Sequence, residues 1–151
     1  MGNKAILTQG GDGTVIPAGM VGETITFPNR AVDTTAVGAG AWARNTSKLA
    51  TLTKGIWVIH AQCSHIVTAT ANNWRYAVST STGATPGAGV ICASGSDASY
   101  NTSSANEVSF YMSPSGAISI TSDTDIFAWA YGEDASGALF TGISGFAIRI
   151  V

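Results

Sequence analysis

With 151 residues the chain can enclose one domain with a full core. Charged side chains make up 11%, less than half the roughly 25% of a typical soluble domain. The formal net charge of −2, with no basic stripe, argues against a nucleic-acid partner.

Gly, Ser, Thr, Asn and Ala fill the place of the missing charge. Two compatible readings follow: much of the surface is covered by partners, or the surface is a neutral one of hydroxyls and amides, as in extracellular and virion proteins.

From the N-terminus, residues 1–20 are punctuated by Gly10-Gly11-Asp12-Gly13 and Pro17-Ala18-Gly19, which predicts an extended arm with little core of its own. Met1 to Gln9 lack the long apolar core of a secretory signal. Ile6 stands where a myristoylation motif requires Ser or Thr. No apolar run nears the length of a membrane span.

Residues 21–151 read as one domain. Glu23 to Phe27 alternates and stops at Pro28, as a short strand does. Asn29 to Gly40 suggests a strand piece and a glycine-rich loop. Ala41-Trp42-Ala43-Arg44 and Ser47 to Leu52 lead into the longest β-branched and aromatic run, Gly55 to Val67, which has no Pro and no further Gly. Alternate residues of a strand point to opposite sides. One side of this run carries Trp57, Ile59, Ala61, Cys63, His65 and Val67 and is core-like. The other carries Ile56, Val58, His60, Gln62, Ser64 and Ile66, apolar at its ends and polar in its middle. That second side suggests a further protein contact.

Beyond a turn at 68–73, Trp74, Tyr76 and Val78 line one face of another strand. A Ser/Thr/Gly/Pro loop spans 79–89, Val90 to Ala93 is a brief buried strand, and a long polar loop spans 94–105. Val108, Phe110 and Met112 alternate with polar partners, and Pro114-Ser115-Gly116 is a turn signature. Ile118 and Ile120 continue on a short strand. Thr124-Asp125 opens a strand with the aromatic stripe Phe127, Trp129 and Tyr131. Glu133 to Gly137 turns the chain, and Phe146, Ile148 and Ile150 end it on a last strand. With no amphipathic helix and about nine short strands between turn signals, the expected class is all-β, a sandwich or barrel.

Chemistry-bearing residues are sparse. His60 and His65 are five apart on one strand and point to opposite faces, so they cannot share a metal. Asp123, Asp125, Glu133 and Asp134 lack the dense ligand spacing of a calcium loop and read as turn and solvation residues. Cys63 and Cys92 could meet across neighbouring strands; two reduced, buried thiols is the favoured reading. There is no CxxC or Cys/His cluster for zinc. There is no Gly-x-Ser-x-Gly elbow, no marked carboxylate pair, and no phosphate loop, because Gly10-Gly11-Asp12-Gly13 lacks the Lys and the strand-to-helix setting. We therefore expect no enzyme, no cofactor and no resident metal. Trp42, Trp74 and Tyr100 are candidates for partner or glycan contact. The alternation of Trp74 with Tyr76 and Val78 makes it a core residue, leaving Trp42 and, in its polar loop, Tyr100. Two sequons, at Asn45 and Asn101, are of a length that recurs by chance.

Four stretches, in this order and spacing, resemble the jelly-roll domain of tailed-bacteriophage fibre and decoration proteins, whose fold is like that of tumour necrosis factor. Ala18-Gly19-Met20-Val21-Gly22-Glu23 is similar to the entry motif, and Leu52-Thr53-Lys54-Gly55-Ile56-Trp57 to the turn before the central strand. Ala77-Val78-Ser79-Thr80-Ser81 is similar to a strand end, and Gly142 to Ile150 to the closing strand with its Ala-x-Arg-Ile ending. The chain departs from the pattern in the polarity of Ala43 to Thr46 and in its two strand histidines.

The resemblance implies a homotrimeric jelly-roll β-sandwich displayed on a virion and assembled in the bacterial host cytoplasm. If Trp57 faces the interior, Ile56, Val58 and Ile66 face outward, and with His60 and Gln62 they form the expected trimer interface. Three His60 copies on a three-fold axis could ligate an ion or stack with Gln62 in a polar layer; a hydrogen-bonded interface histidine is the simpler reading. The implied function is structural: a capsid decoration or head-fibre protein bound to phage capsid or tail proteins through its N-terminal arm. The absence of coiled-coil heptads favours a compact unit over a long fibre. The alternative is a receptor-binding tip of a tail fibre or baseplate that grips a host surface glycan with the loops at 79–89 and 94–105. A secreted lectin-like or signalling module is a third reading, disfavoured by the missing signal.

Overall fold

The computed structural model of the chain describes residues 18–27, 35–37, 40–67, 74–96, 108–132 and 138–151. Within these the chain forms strands β1 (Thr24–Phe27), β2 (Thr35–Val37), β3 (Ala41–Arg44), β4 (Ala50–Leu52), β5 (Gly55–Val67), β6 (Trp74–Ser79), β7 (Val90–Ser96), β8 (Val108–Met112), β9 (Ser115–Ile120), β10 (Thr124–Gly132) and β11 (Ala138–Arg149). A single 3-10 turn, Gly87–Gly89, precedes β7, and no α-helix occurs among the described residues.

The strands make two antiparallel sheets, a β-sandwich. The larger sheet has the order β1-β11-β5-β8, with β2 also pairing with β11 and β9 with β5. The smaller has the order β4-β10-β6-β7. The two longest strands, β5 and β11, form the middle of the larger sheet and pair from Trp57↔Arg149 to Val67↔Ala138, with one irregularity between Phe140 and Gly142. The length of β5 follows from composition: its 13 residues contain no Pro, and Gly only at the first position.

The space between the sheets is filled from both sides. Trp57, Ile59 and Ala61 of β5 and Ile143 and Ala147 of β11 point inward from the larger sheet, all fully buried. Leu52, Tyr76, Val78, Cys92, Ile126, Ala128 and Ala130 meet them from the smaller one. On β11, Ala147 stands opposite Ile59 and Gly145 opposite Ala61, while Arg149 stands opposite Trp57.

Two expectations are revised, and the position of one stripe is found. Val90 to Ala93 is not wholly buried: it belongs to β7, which runs on to Ser96 at the edge of its sheet, and within it Cys92 is buried while Val90 and Ala93 are exposed. Pro114 does not turn the chain back. Strands β8 and β9 pair with successive parts of β5, at 63–67 and 55–60, and buried Pro114 sits between them, its carbonyl accepting from Ala61 N at 3.0 Å. A proline has no N–H to place in the ladder, so the pairing breaks there. The aromatic stripe of β10 lies outside the main core. Phe127 and Trp129 pack with Ala77 on the opposite side of the smaller sheet from Ile126 and Ala128. Strand β3 covers them: Trp42 packs on this cluster, and the Arg44 guanidinium lies over Phe127, 4.6 Å from its centroid.

Most of the arm expected at 1–20 falls outside the described residues; its last part, from Ala18, is a turn leading into β1.

Candidate subunit interface

The outward side of the larger sheet is built by register. Val58 stands opposite Ile148 of β11, and His60 opposite Phe146. On the other flank, Ile56, Val58 and His60 stand opposite Ser119, Ala117 and Ser115 of β9. Thr24 and Thr26 of β1 pair with Ile148 and Phe146. Directly opposed residues of antiparallel strands share a face. The result is an apolar row, Ile56, Val58, Ile148 and Phe146, with Ala117 beside it and hydroxyls of Ser115, Ser119, Thr24 and Thr26 at its rims.

Val58 and Phe146 are each 37% exposed although they sit on the two central strands. Ile56, His60 and Ile148 are half-buried and Gln62 is exposed. The His60 ring leans on Phe146 with centroids 5.5 Å apart. Its Nδ1 and Ser115 Oγ are 2.7 Å apart, a hydrogen bond. No formally charged side chain belongs to the set just named.

The structure therefore brings Ile56, Val58, His60 and Gln62 onto one face. Ile66 lies on the same strand, but its side chain, like those of Cys63 and His65, is outside the described residues. The face also contains Phe146 and Ile148, which sequence reading left unplaced. The alternation of Phe146, Ile148 and Ile150 does not show which side it faces; the small Gly145 and Ala147, which alternate with Phe146 and Ile148, are the available signal.

The other candidates lie elsewhere. Trp42 is half-buried and stacks on Tyr131 at 5.4 Å, over the smaller sheet. Tyr100 falls outside the described residues. The loop after β6 is tied down at its base: the buried Ser79 hydroxyl donates to the Pro86 carbonyl at 2.7 Å, and Thr80 N donates to Gly89 O at 3.0 Å. Of the acidic residues, Asp125 accepts from Thr51 Oγ1 at 2.5 Å and from Lys48 Nζ at 2.9 Å, which holds its carboxyl below the usual range. It borders a shallow depression with Asp123, Thr80, Thr82 and Phe127. No group of three potential metal ligands occurs among the described residues. Cys92 is a free, buried thiol, so the reading in which it pairs with Cys63 is set aside. Burial pushes its pKa up to about 11, against a smaller lowering by a hydrogen bond from the Val78 backbone.

Three of the sequence signatures meet at one corner of the sandwich. Glu23 of the first, Thr53, Lys54 and Trp57 of the second, and Arg149 of the last surround one guanidinium. Arg149 Nη1 donates to Thr53 Oγ1 at 2.9 Å and lies 3.6 Å from Glu23 Oε2; Nη2 donates to the Lys54 carbonyl. Glu23 Oε2 also accepts from Gly19 N at 2.6 Å. The backbone is joined there too, Gly22 N to Arg149 O at 2.7 Å and Arg149 N to Glu23 O at 2.9 Å. Gly55 is needed at this corner: its φ is +154°, and a Cβ would lie 2.5 Å from Val151 O.

No protein-family model matches the chain, and no curated protein matches it in sequence.

Proposed function

We propose that this chain is a structural virion protein of a tailed phage, a homotrimeric jelly roll that decorates the capsid or forms a short head fibre and attaches through its N-terminal arm. The observation that carries the self-association is the uncharged apolar row of Val58, Phe146, Ile148 and Ile56 on the outer side of the larger sheet. A face without formal charge meets its own copy without repulsion, and burial of such side chains is the main favourable term in association. The strand orders β1-β11-β5-β8 and β4-β10-β6-β7 support the jelly-roll reading. The meeting of three of the resembling signatures around Arg149 supports the kinship from which the virion role is drawn.

Sedimentation equilibrium of the purified chain at micromolar concentration tests the assembly, with a mass of three chains expected and a dilute monomer fatal to it. Mixing labelled trimer with emptied phage capsids and, separately, with host cells tests the role. Capsid binding that is lost on deleting residues 2–17 is expected. Binding to cells alone would make the chain a receptor-binding tip instead.

A further inference from the structure

We propose that the depression at one end of the smaller sheet, on its outer side, binds a neutral saccharide. The inference goes beyond the virion role proposed above. It concerns the sheet that does not carry the outward apolar row, and it needs neither a trimer nor a capsid.

The depression is built by register. Phe127 and Asp125 are two apart on β10, so they share the side of the sheet opposite Ile126. Thr51 of β4 stands opposite Asp125, and Ser79 of β6 opposite Phe127. The floor is therefore Phe127 and Asp125, continued by Asp123 just before the strand. Lys48 and Thr51 make one wall; Thr80 and Thr82, in the loop after β6, make the other. The space between them is about 460 Å³, within the range of about 300–1,000 Å³ usual for ligand pockets.

Both walls are fixed by bonds of their own. Lys48 Nζ donates to Thr51 Oγ1 at 2.7 Å and to Asp125 Oδ1 at 2.9 Å, and Thr51 Oγ1 donates to the same Oδ1 at 2.5 Å. Across the depression the loop is closed by Thr80 N to Gly89 O at 3.0 Å, Ser81 N to Ser79 Oγ at 3.0 Å and Ser81 Oγ to Thr85 O at 2.7 Å. Groups held in this way lose little freedom when a ligand binds, so less of the contact energy is spent on ordering them.

The lining selects the class of ligand. One ammonium stands against two carboxylates, so an anion is repelled. Phe127 is the one apolar side chain of the floor and walls, so a hydrocarbon would take water from the polar groups and return no hydrogen bond. No third metal ligand joins Asp123 and Asp125 among the described residues, which leaves a bare cation short of partners. A neutral saccharide meets all three constraints. Its hydroxyls donate to the carboxylates and accept from Lys48 and the threonines, and its C–H face suits the part of Phe127 that lines the depression. Both bonds made to Asp125 fall on Oδ1, so Oδ2 can accept from a sugar hydroxyl. Asp123 is exposed and has no ion pair among the described residues. Hydrogen bonds to an ionised acceptor are the stronger class.

The test is saturation-transfer NMR of the full chain with glucose, galactose, mannose, N-acetylglucosamine and their disaccharides, with and without a chelator. A hexose of about twelve non-hydrogen atoms at ordinary ligand efficiency binds with a Kd on the order of 1 mM, so each sugar is supplied at about 10 mM. Saturation transfer to at least one sugar is expected, with the chelator or without it. Amide shifts of isotope-labelled protein should change around Thr80, Thr82, Asp123 and Asp125. Thr82→Val with Asp123→Ala, both at exposed positions, should keep the fold by circular dichroism and weaken binding at least about tenfold. Ser119→Ala, on the larger sheet, should leave binding unchanged. No transfer to any sugar, transfer abolished by the chelator, shifts confined to another surface, or undiminished binding in the double variant overturns the proposal. Should the double variant misfold, the shift map of the wild type decides alone. Tighter binding of a disaccharide than of its monosaccharide would support a linked glycan as the ligand, and equal binding a free sugar. Failure here leaves the trimer reading intact, and a monomer in sedimentation leaves this site intact.

Discussion

The guanidinium carbon of Arg149 lies 5.8 Å from the centre of the Trp57 ring, over the side chain that anchors the central strand in the core. Trp57 Nε1 donates to the Thr53 carbonyl at 2.9 Å, so the same turn that feeds the strand also fixes the indole. Arg149 and Glu23 are 13% and 11% exposed at their side chains, which makes theirs a largely desolvated pair. Removing one partner leaves the other as a buried charge. Arg149→Leu is expected to cost about 3–5 kcal/mol of folding stability. The double variant Arg149→Leu with Glu23→Leu should cost less than the sum of the singles, because no orphan charge remains. Urea unfolding of the four proteins of this cycle measures both. Additive costs would mean that the two side chains do not act as a pair.

The outward row yields a prediction of opposite character. Val58 and Phe146 are already partly exposed, so polar residues there should leave the fold intact while removing the surface for self-association. Val58→Ser with Phe146→Ser is expected to give a folded monomer, less stable as an isolated chain by about 2–4 kcal/mol because the part of each side chain already buried is lost. Full burial of such side chains is worth roughly 1.5–3 kcal/mol each, and the remaining exposed part repeats in every copy. Sedimentation of the double variant at concentrations where the wild type assembles decides it, with far-ultraviolet circular dichroism as the check on folding. A variant that assembles as well as the wild type would show that this face is not the interface.

Much of this was legible in the sequence because strand periodicity is strict. The run from Gly55 to Val67 declares itself by composition, and its alternation separates Trp57, Ile59 and Ala61 from Val58, His60 and Gln62 as the structure does. What was not legible depends on facts outside any single strand. The stripe Phe127, Trp129 and Tyr131 does not show its side; Phe127 and Trp129 sit outside the sandwich under β3, because the small Ala128 and Ala130 are the inward ones. The same inversion occurs on β11, where Ala147 is inside and Phe146 and Ile148 are outside. Pro114 likewise reads locally as a reversal; only pairing with β5 makes it a joint between β8 and β9.

Asp125 predicts a small dependence of stability on acid. Its carboxyl is held below the ordinary value first by the Thr51 hydroxyl and then by Lys48. A carboxylate with a lowered folded-state pKa adds stability that is present above the unfolded value and is lost as pH falls through the folded one. Wild-type stability should therefore fall as pH drops from about 4 downward. Asp125→Asn should fall less over the same window and lie below the wild type at neutral pH. Thermal unfolding followed at several pH values compares the two slopes. Parallel curves would show that the Thr51 and Lys48 contacts do not favour the ionised form in solution.

Cys92 predicts a thiol that is inert while the chain is folded. With the pKa at about 11, almost none of it is thiolate near neutrality, and burial blocks access as well. In a Cys63→Ser background, an aromatic disulfide reagent at about pH 8 should react with Cys92 slowly, at a rate set by opening of the fold, and rapidly once urea unfolds the chain. The folded rate should rise with any substitution that lowers global stability, such as Arg149→Leu. Fast labelling of the stable, folded protein would mean that the edge strand β7 opens by itself.

Closure of the sandwich on the β7 side depends on Gly116. This residue of β9 stands where the larger sheet approaches β7 of the smaller one, and a Cβ added there would collide with the Ile91 carbonyl oxygen and lie 2.9 Å from Cys92 Cβ. The obstacle is mostly backbone, which cannot rotate aside as a flexible side chain can. Gly116→Ala is therefore expected to cost about 1–3 kcal/mol, the range for overpacking a filled site, rather than to gain the few tenths that loss of a strand glycine often brings. Because the added methyl pushes β9 and β7 apart, the same variant should also speed native-state labelling of Cys92 by more than its loss of global stability accounts for. The comparison is with a variant of equal stability loss at a remote position. Equal labelling rates in the two would place the strain of Gly116→Ala somewhere other than the contact between these strands.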